Sequence, residues 1–251
     1  EPQLDAQTVV AAPNLRQEAE VPLATSLRNP ERIDGLVLEL EGVSPTSIPS
    51  DLRQTSEWDE QSGRLLVRTG VASGVAPGLS LGTIEPVEQY LEETREYPLS
   101  NTRVRRVATE LKRRTDNERQ MLSQLVRFVG SYLRPSEDAH LTVHEALVGR
   151  SGNCKDHARL LTTLARAVGL PAREVTGLVY KRKNQDGAFL SHTWNEVYVD
   201  GAWVAVDAMF KRLSIDATYV SFGSGRHGIS NLTGSLGRVS FKVLQVSYRE
   251  T

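Results

Sequence analysis

The chain has 251 residues, with 30 basic and 31 acidic side chains and a formal charge of −1. That balance gives no electrostatic reason to expect nucleic acid or an anionic membrane as partner, and no apolar run is long enough to span a bilayer. A single cysteine excludes an intrachain disulfide and a multi-thiolate zinc site, so neither metal nor cofactor is expected, and 39% hydrophobic with 24% charged residues is the make-up of a globular protein.

Residues 1–30 are polar, proline-spotted and without periodicity, which predicts an extended or poorly ordered arm. Because the chain begins at Glu1 and not at Met, a trimmed or mature form is expected, with an exported or periplasmic location favoured. Residues 31–82 form a small β-rich unit: Leu36, Leu38 and Leu40 alternate, and a Ser62-Gly63 turn leads into Arg64 to Arg68. Residues 83–251 form the remaining domain. A short helical candidate lies at Val87 to Leu91. A helix capped by Asn101 or Thr102 follows, with Val104, Val107, Ala108 and Leu111 on one face, then a second capped by Asp116, with Leu122, Leu125, Val126, Val129 and Leu133. The arginine-rich stretch 103–114 reads as a solvated helix face, since it lacks interleaved aromatics. Thr142 and Glu145 make a capping box for a short helix ending at Gly149, with His144 on its surface.

Ser151 to Arg173 organises the rest. Cys154 falls in the first turn of a helix whose Ala158, Leu161, Leu164, Ala165 and Val168 share a face, and Gly169 and Pro171 end it. A thiol at a helix N-terminus lies in the positive end of the dipole, which favours thiolate, the nucleophilic form. A lone cysteine is also commonly a small buried hydrophobe, and position alone leaves both readings open. Three strands follow: Ala172 to Tyr180, Phe189 to Val199 and Ala202 to Ala208. A charged loop over Lys181 to Ala188 joins the first two, and an Asp200-Gly201 hairpin turn the last two. Phe222 to Gly237 reads as a long loop and Phe241 to Tyr248 as a closing strand. Asn231-Leu232-Thr233 matches the glycosylation tripeptide by chance and is given no function.

The hairpin turn sets a register. With Val199 opposite Ala202, Trp194 falls opposite Asp207 and His192 opposite Met209, so His192 and Asp207 become diagonal neighbours about 7–8 Å apart at the backbone. Such an aspartate can accept the imidazole N–H and orient the ring. A polar cross-strand pair would show the same spacing. If that face packs over Cys154, the other ring nitrogen meets the thiol.

Residues 151–208 resemble the core of the transglutaminase-like superfamily, including its bacterial cysteine-protease-like members. The resemblance rests on Gly152-x-Cys154, on Arg166 to Arg173 (Arg-Ala-x-Gly-x-Pro-Ala-Arg) and on Gly177 to Tyr180. His192 to Val199 (His-x-Trp-x-Glu-Val-Tyr-Val) and Gly201, Trp203 and Asp207 complete it. It implies an α+β, papain-like fold, with a nucleophile helix packed on an antiparallel sheet, and a Cys154, His192, Asp207 triad acting on a protein or peptide. The expected activity is thiol-dependent acyl transfer, chiefly hydrolysis, because the polar 181–188 stretch would let water reach a thioester and no apolar lid is visible. The alternatives are glutamine transamidation and a non-catalytic binding module. The backbone N–H of Cys154 is the natural oxyanion donor, Gln124 and Tyr132 are candidates for a second, and Trp194 and Trp203 are candidates for an acyl groove, although an aromatic on a sheet is more often core. Asp156 fits the helix dipole, and His157 is expected to be structural.

Overall fold

The computed structural model describes residues 20–23, 26–51, 53–71, 86–137, 142–183 and 186–249. In chain order the strands are β1 (Glu20–Leu23), β2 (Ile33–Glu41), β3 (Gln54–Asp59), β4 (Arg64–Gly70), β5 (Arg134–Pro135), β6 (Ser151–Gly152), β7 (Ala172–Lys183), β8 (Asp186–Val199), β9 (Ala202–Val206), β10 (Tyr219–Ser224) and β11 (Ser240–Tyr248). The helices are α1 (Thr102–Lys112), α2 (Glu118–Tyr132), α3 (Val143–Gly149), α4 (Cys154–Val168) and α5 (Gly225–Ser235). One sheet has the order β1-β8-β7-β10, with β9 also on β8. A second has the order β11-β2-β4-β3, and β5 and β6 form a short parallel pair. The expected α+β class is what the chain adopts.

The described residues fall into two compact units. One is drawn from 1–82, 176–192 and 216–251, the other from 83–175 and 193–215. The first is built on β2, β4 and β11. Alternation puts Leu36, Leu38, Leu40, Leu65 and Val67 on one face, where they meet Val220, Phe222 and Phe241. Phe189 stacks on Phe241 at 4.7 Å. Gln54 works as a side-chain extension of the strand ladder: its amide donates to the Ser221 carbonyl and accepts from the Ser221 N–H, each at 2.8 Å.

The second unit is helical on one side. The apolar faces of α1, α2 and α4 pack with Val197, Val199 and Val206 around Leu125, Leu160, Leu161 and Leu164, none of which is exposed. The caps follow the sequence closely. Asn101 accepts from Arg103 and Val104 N–H, and Thr142 and Glu145 form the full capping box. The second helix is capped by Asn117, one residue after the expected Asp116. Gly169 ends α4 at φ 95°, the left-handed conformation that only glycine adopts without strain.

Several expectations are corrected. The charged loop over 181–188 is mostly strand: β7 runs to Lys183, β8 starts at Asp186, and Ala188 and Phe189 are buried. Charged side chains at strand ends can stay solvated while the backbone remains in the ladder, so polarity there did not mark a loop. The long loop over 222–237 contains α5. Its glycines and serines lower helix propensity, but Gly228 packs where an added Cβ would lie 2.1 Å from the Gly223 carbonyl oxygen, so tertiary contact and not propensity fixes this helix. The short pair β5 and β6 and the strands β1, β3 and β10 were not expected, and β10 ends inside the expected loop. β1 lies inside the expected arm, whose first nineteen residues are outside the described ones, and β3 is a polar edge strand with Gln54 alone buried. On α5, Asn231 donates its amide to the Phe222 carbonyl at 3.0 Å.

Glu174 on β7 has a buried Oε1 with no hydrogen-bond partner among the described residues. Burial pushes its carboxyl up to about 7, against the opposing pull of Arg159 and of the Tyr97 hydroxyl. Because the folded-state value is raised, the protonated form stabilises the fold. That contribution is complete below pH about 4.5 and is lost as pH rises through about 7. Urea unfolding of the wild type should therefore show stability falling between pH 5 and 8, by at most about 3 kcal/mol from this group. Glu174→Gln should flatten that slope; an unchanged slope would refute the assignment.

Candidate active site

The first turn of α4 is fixed by short-range chemistry. Asn153, the N-cap, accepts from the N–H groups of Lys155 at 3.0 Å and Asp156 at 3.3 Å through Oδ1. Asp156 Oδ2 accepts in return from the Asn153 N–H at 3.0 Å, completing a reciprocal capping box. The Asn153 carbonyl takes the His157 N–H. Capping and the first helical bond thus use the N–H groups of Lys155, Asp156 and His157, and among the described residues that of Cys154 has no partner. Cys154 is a free thiol, half-buried, at the first helical residue.

The approach to this turn is equally constrained. Arg150 takes a left-handed conformation at φ 51°, and β6 pairs with β5 so that the Ser136 N–H reaches the Gly152 carbonyl at 3.0 Å. A Cβ on Gly152 would lie 2.5 Å from Cβ of Asp156, which explains the glycine two residues before the cysteine. His157 is 1% exposed. Its Nδ1 lies 2.8 Å from the Asn153 carbonyl and its Nε2 3.2 Å from that of Leu133, so it ties the α4 start to the end of α2. The structural role expected for His157 is the one it has, and Asp156 acts through the cap.

The hairpin register holds from Val199 opposite Ala202 to Asn195 opposite Val206. Asp200 and Gly201 both have positive φ, 51° and 83°, as a type I′ turn requires. Beyond Val206 the expected register stops. Asp207 exchanges backbone hydrogen bonds with Arg212 in an isolated bridge, so the ladder ends before Trp194 and Met209 is not carried along it opposite His192. Asp207 is 1% exposed, and its Oδ1 accepts from the Phe210 N–H at 3.1 Å. His192 is a buried residue of β8 whose ring meets that of Tyr219 edge-on at 6.2 Å.

A residue that sequence reasoning missed links strand to helix. Asn195, three positions after His192 on β8, donates its amide to the Ala158 carbonyl and to the Thr162 hydroxyl, both at 2.8 Å. This clamp seizes α4 one turn after Cys154. The available signal was a polar residue on the same strand face as Val197 and Val199. The other candidates differ in standing. Trp194 is 1% exposed and has almost no surface to offer a substrate. Trp203 keeps exposed area, edge-on to Tyr90 and Tyr198, with the Arg173 guanidinium 4.4 Å above its ring. Arg173 is held by Glu196 at 2.7 Å. Tyr132 donates its hydroxyl proton to the Leu147 carbonyl at 2.8 Å, so that hydrogen is already committed. Gln124 is partly buried on α2, and among the described residues its enclosed Oε1 has no hydrogen-bond partner. Among the described residues no group of three or more His, Cys, Asp or Glu side chains is placed to hold a metal.

The family model of the transglutaminase-like superfamily core matches residues 104–208, the stretch holding α1, α2, α4, β9 and the capped cysteine. Residues 104–208 are thus similar to a transglutaminase-like core. Among solved structures, a candidate cysteine protease of Cytophaga hutchinsonii superposes with a TM-score of 0.52 at 16% identity, covering 87% of this chain and 89% of that one. The periplasmic domain of TgpA from Pseudomonas aeruginosa gives 0.50 at 16% identity, over 78% of this chain and 88% of that one. An uncharacterized protein of Mycobacterium leprae (strain TN) is 26% identical over 155 residues, which are 59% of this chain and 54% of the relative, so the match spans about half of that protein's length. The matched segment therefore carries a helix-start cysteine on a rigidly capped turn. Asn153→Ala should cost about 1 kcal/mol in urea unfolding, the usual worth of a cap, and should slow alkylation of Cys154. A variant as stable and as reactive as the wild type would show that the cap does not hold the thiol.

Proposed function

We propose that the protein is a thiol-dependent acyl-transfer enzyme that hydrolyses peptide or protein amide bonds. The observation that carries this reading is the first turn of α4. There a half-exposed, unpaired thiol sits beside its own unclaimed N–H at a capped helix start, within the segment matched by the transglutaminase-like family.

In the proposed reaction Cys154 Sγ attacks the substrate carbonyl and His192 takes the thiol proton. The C–N bond breaks, the departing amine leaves with that proton, and a thioester to Cys154 remains. His192 then removes a proton from water, which attacks the thioester, and the acid and the free thiol are released. Asp207 orients His192 and stabilises its imidazolium. The Cys154 N–H is one oxyanion donor. The Gln124 amide is the better candidate for the second, because the Tyr132 proton is already donated to Leu147.

Hydrolysis is preferred over amine transfer because the fold neighbour from Cytophaga hutchinsonii carries a candidate cysteine protease name. The polar loop that favoured water in the sequence is not present as a loop. An exported setting fits the likeness to the periplasmic domain of TgpA; among the described residues no helix is long and apolar enough to cross a membrane.

Iodoacetamide should label the folded wild type stoichiometrically at Cys154, and His192→Ala should slow labelling by at least tenfold. A peptide-library screen should give cleavage that disappears in Cys154→Ala and falls by at least a thousandfold in His192→Ala, read by mass spectrometry with excess primary amine present. Free acid as the main product supports hydrolysis, amine adduct would make the protein a transamidase, and a thiol inert in the native state would favour the binding-module reading.

A further inference from the structure

The second unit holds a cavity of about 350 Å³, open to solvent between α1 and the C-terminal end of α4. Its charged lining is Arg105 and Lys112 from α1, Arg166 from α4, and Glu93. Glu93 is committed: its Oε1 accepts from the Ser100 N–H at 2.8 Å and the Ser100 hydroxyl at 2.6 Å, and these bonds hold its carboxyl below the usual carboxylate range. Three cations therefore face one ionised, already-bonded carboxylate. Arg105 and Lys112 are exposed, and neither has an ion-pair partner within 4 Å among the described residues. Their neighbour Arg114, by contrast, is paired with Glu110.

Arg166 distinguishes this from an ordinary solvated helix face. It is 8% exposed, its guanidinium lies over the Tyr97 ring at 4.2 Å, and it spends three N–H hydrogens on the carbonyls of Ala172 and Glu92. A guanidinium has five N–H hydrogens, so two have no acceptor among the described residues. Glu174 and Glu92 act on the charge of Arg166, so what it brings to the cavity wall is spare N–H donors beside the exposed charges of Arg105 and Lys112, an arrangement suited to an anion.

The spacing selects the kind of anion. Arg105, Thr109 and Lys112 fall at i, i+4 and i+7 on α1, which places the two cations about 10 Å apart along the helix axis. One phosphate or one carboxylate reaches both only if the two long side chains converge on it, whereas two anions at that interval meet them as they stand. An extended peptide advances about 3.3 Å per residue, so carboxylates three residues apart match that interval. We propose that this cavity binds an extended acidic peptide segment, with carboxylates at Arg105 and Lys112 and its middle at Arg166. The cavity lining includes no aromatic ring for stacking bases, which argues against single-stranded RNA. Cys154 and Arg166 lie twelve positions apart on α4, about 18 Å along its axis. A bound acidic segment would thus stand five or six extended residues from the nucleophile; this last step alone rests on the function proposed above.

Fluorescence anisotropy tests the site without turnover. The probe is a fluorescein-labelled peptide containing Asp-Ala-Ala-Asp, with Lys-Ala-Ala-Lys as control, added to the full-length protein. The acidic peptide should bind, weaken with salt, and lose at least tenfold in affinity in the Arg105→Gln/Lys112→Gln double variant. Thr109→Glu, which adds a negative charge on the cavity-lining face of α1, should weaken binding similarly. Absence of binding to the wild type, or equal binding to the double variant and Thr109→Glu, would overturn the proposal. Displacement by equimolar inorganic phosphate would overturn it as a single-anion site, and tighter binding of an RNA hexamer would replace it with a nucleic-acid site. Loss of cleavage chemistry with peptide binding intact would count against the thiol mechanism and not against this site.

Discussion

Everything assigned to Cys154 depends on the unmet N–H groups at the start of α4. A helix leaves its first N–H groups without internal partners, and here short side chains answer most of them: Asn153 serves two, its carbonyl a third, and Asp156 closes the box on the Asn153 N–H. The group left over belongs to the cysteine. Local hydrogen-bond saturation thus produces both a fixed thiol position and a free donor beside it. The requirement reaches backward to Gly152, because any side chain there would displace Asp156.

The turn is also fastened from two sides. His157 ties it to the end of α2 through the Leu133 carbonyl, and Asn195 holds the next turns through Ala158 and Thr162. These bonds are buried, where an unmade hydrogen bond costs more than one exposed to water. A nucleophile needs a narrow range of positions, and anchoring it through backbone carbonyls of rigid helices supplies that more securely than a loop could.

The two halves of α4 carry different kinds of charge chemistry. Its first turn leaves one N–H, that of Cys154, without a capping partner beside the thiol. Its last turn buries a guanidinium against Tyr97 and two carbonyls, facing a cavity with further cations. The helix joins them at a fixed axial interval, so a substrate that met both would be measured by length as well as by composition.

The elements most legible in the sequence are those set by near neighbours. Caps, helix ends and the Asp200-Gly201 turn follow from i to i+3 chemistry or from a required positive φ, and they stand within a residue of expectation. The spaced motif from Gly152 to Asp207 was enough to indicate the likeness that the family model finds over residues 104–208. Tertiary structure decided the rest. β1 and β3 exist because partner strands supply their hydrogen bonds, α5 because Gly228 fits against Gly223, and the strand ends over 181–188 because the ladder outweighs side-chain polarity. The ladder ends at Val206 because Asp207 finds Arg212, and the Asn195 clamp and the Tyr132 bond to Leu147 join residues 33 or 37 and 15 positions apart. Such pairings carry no periodic signature, since their free energy comes from groups that meet only once the chain has folded.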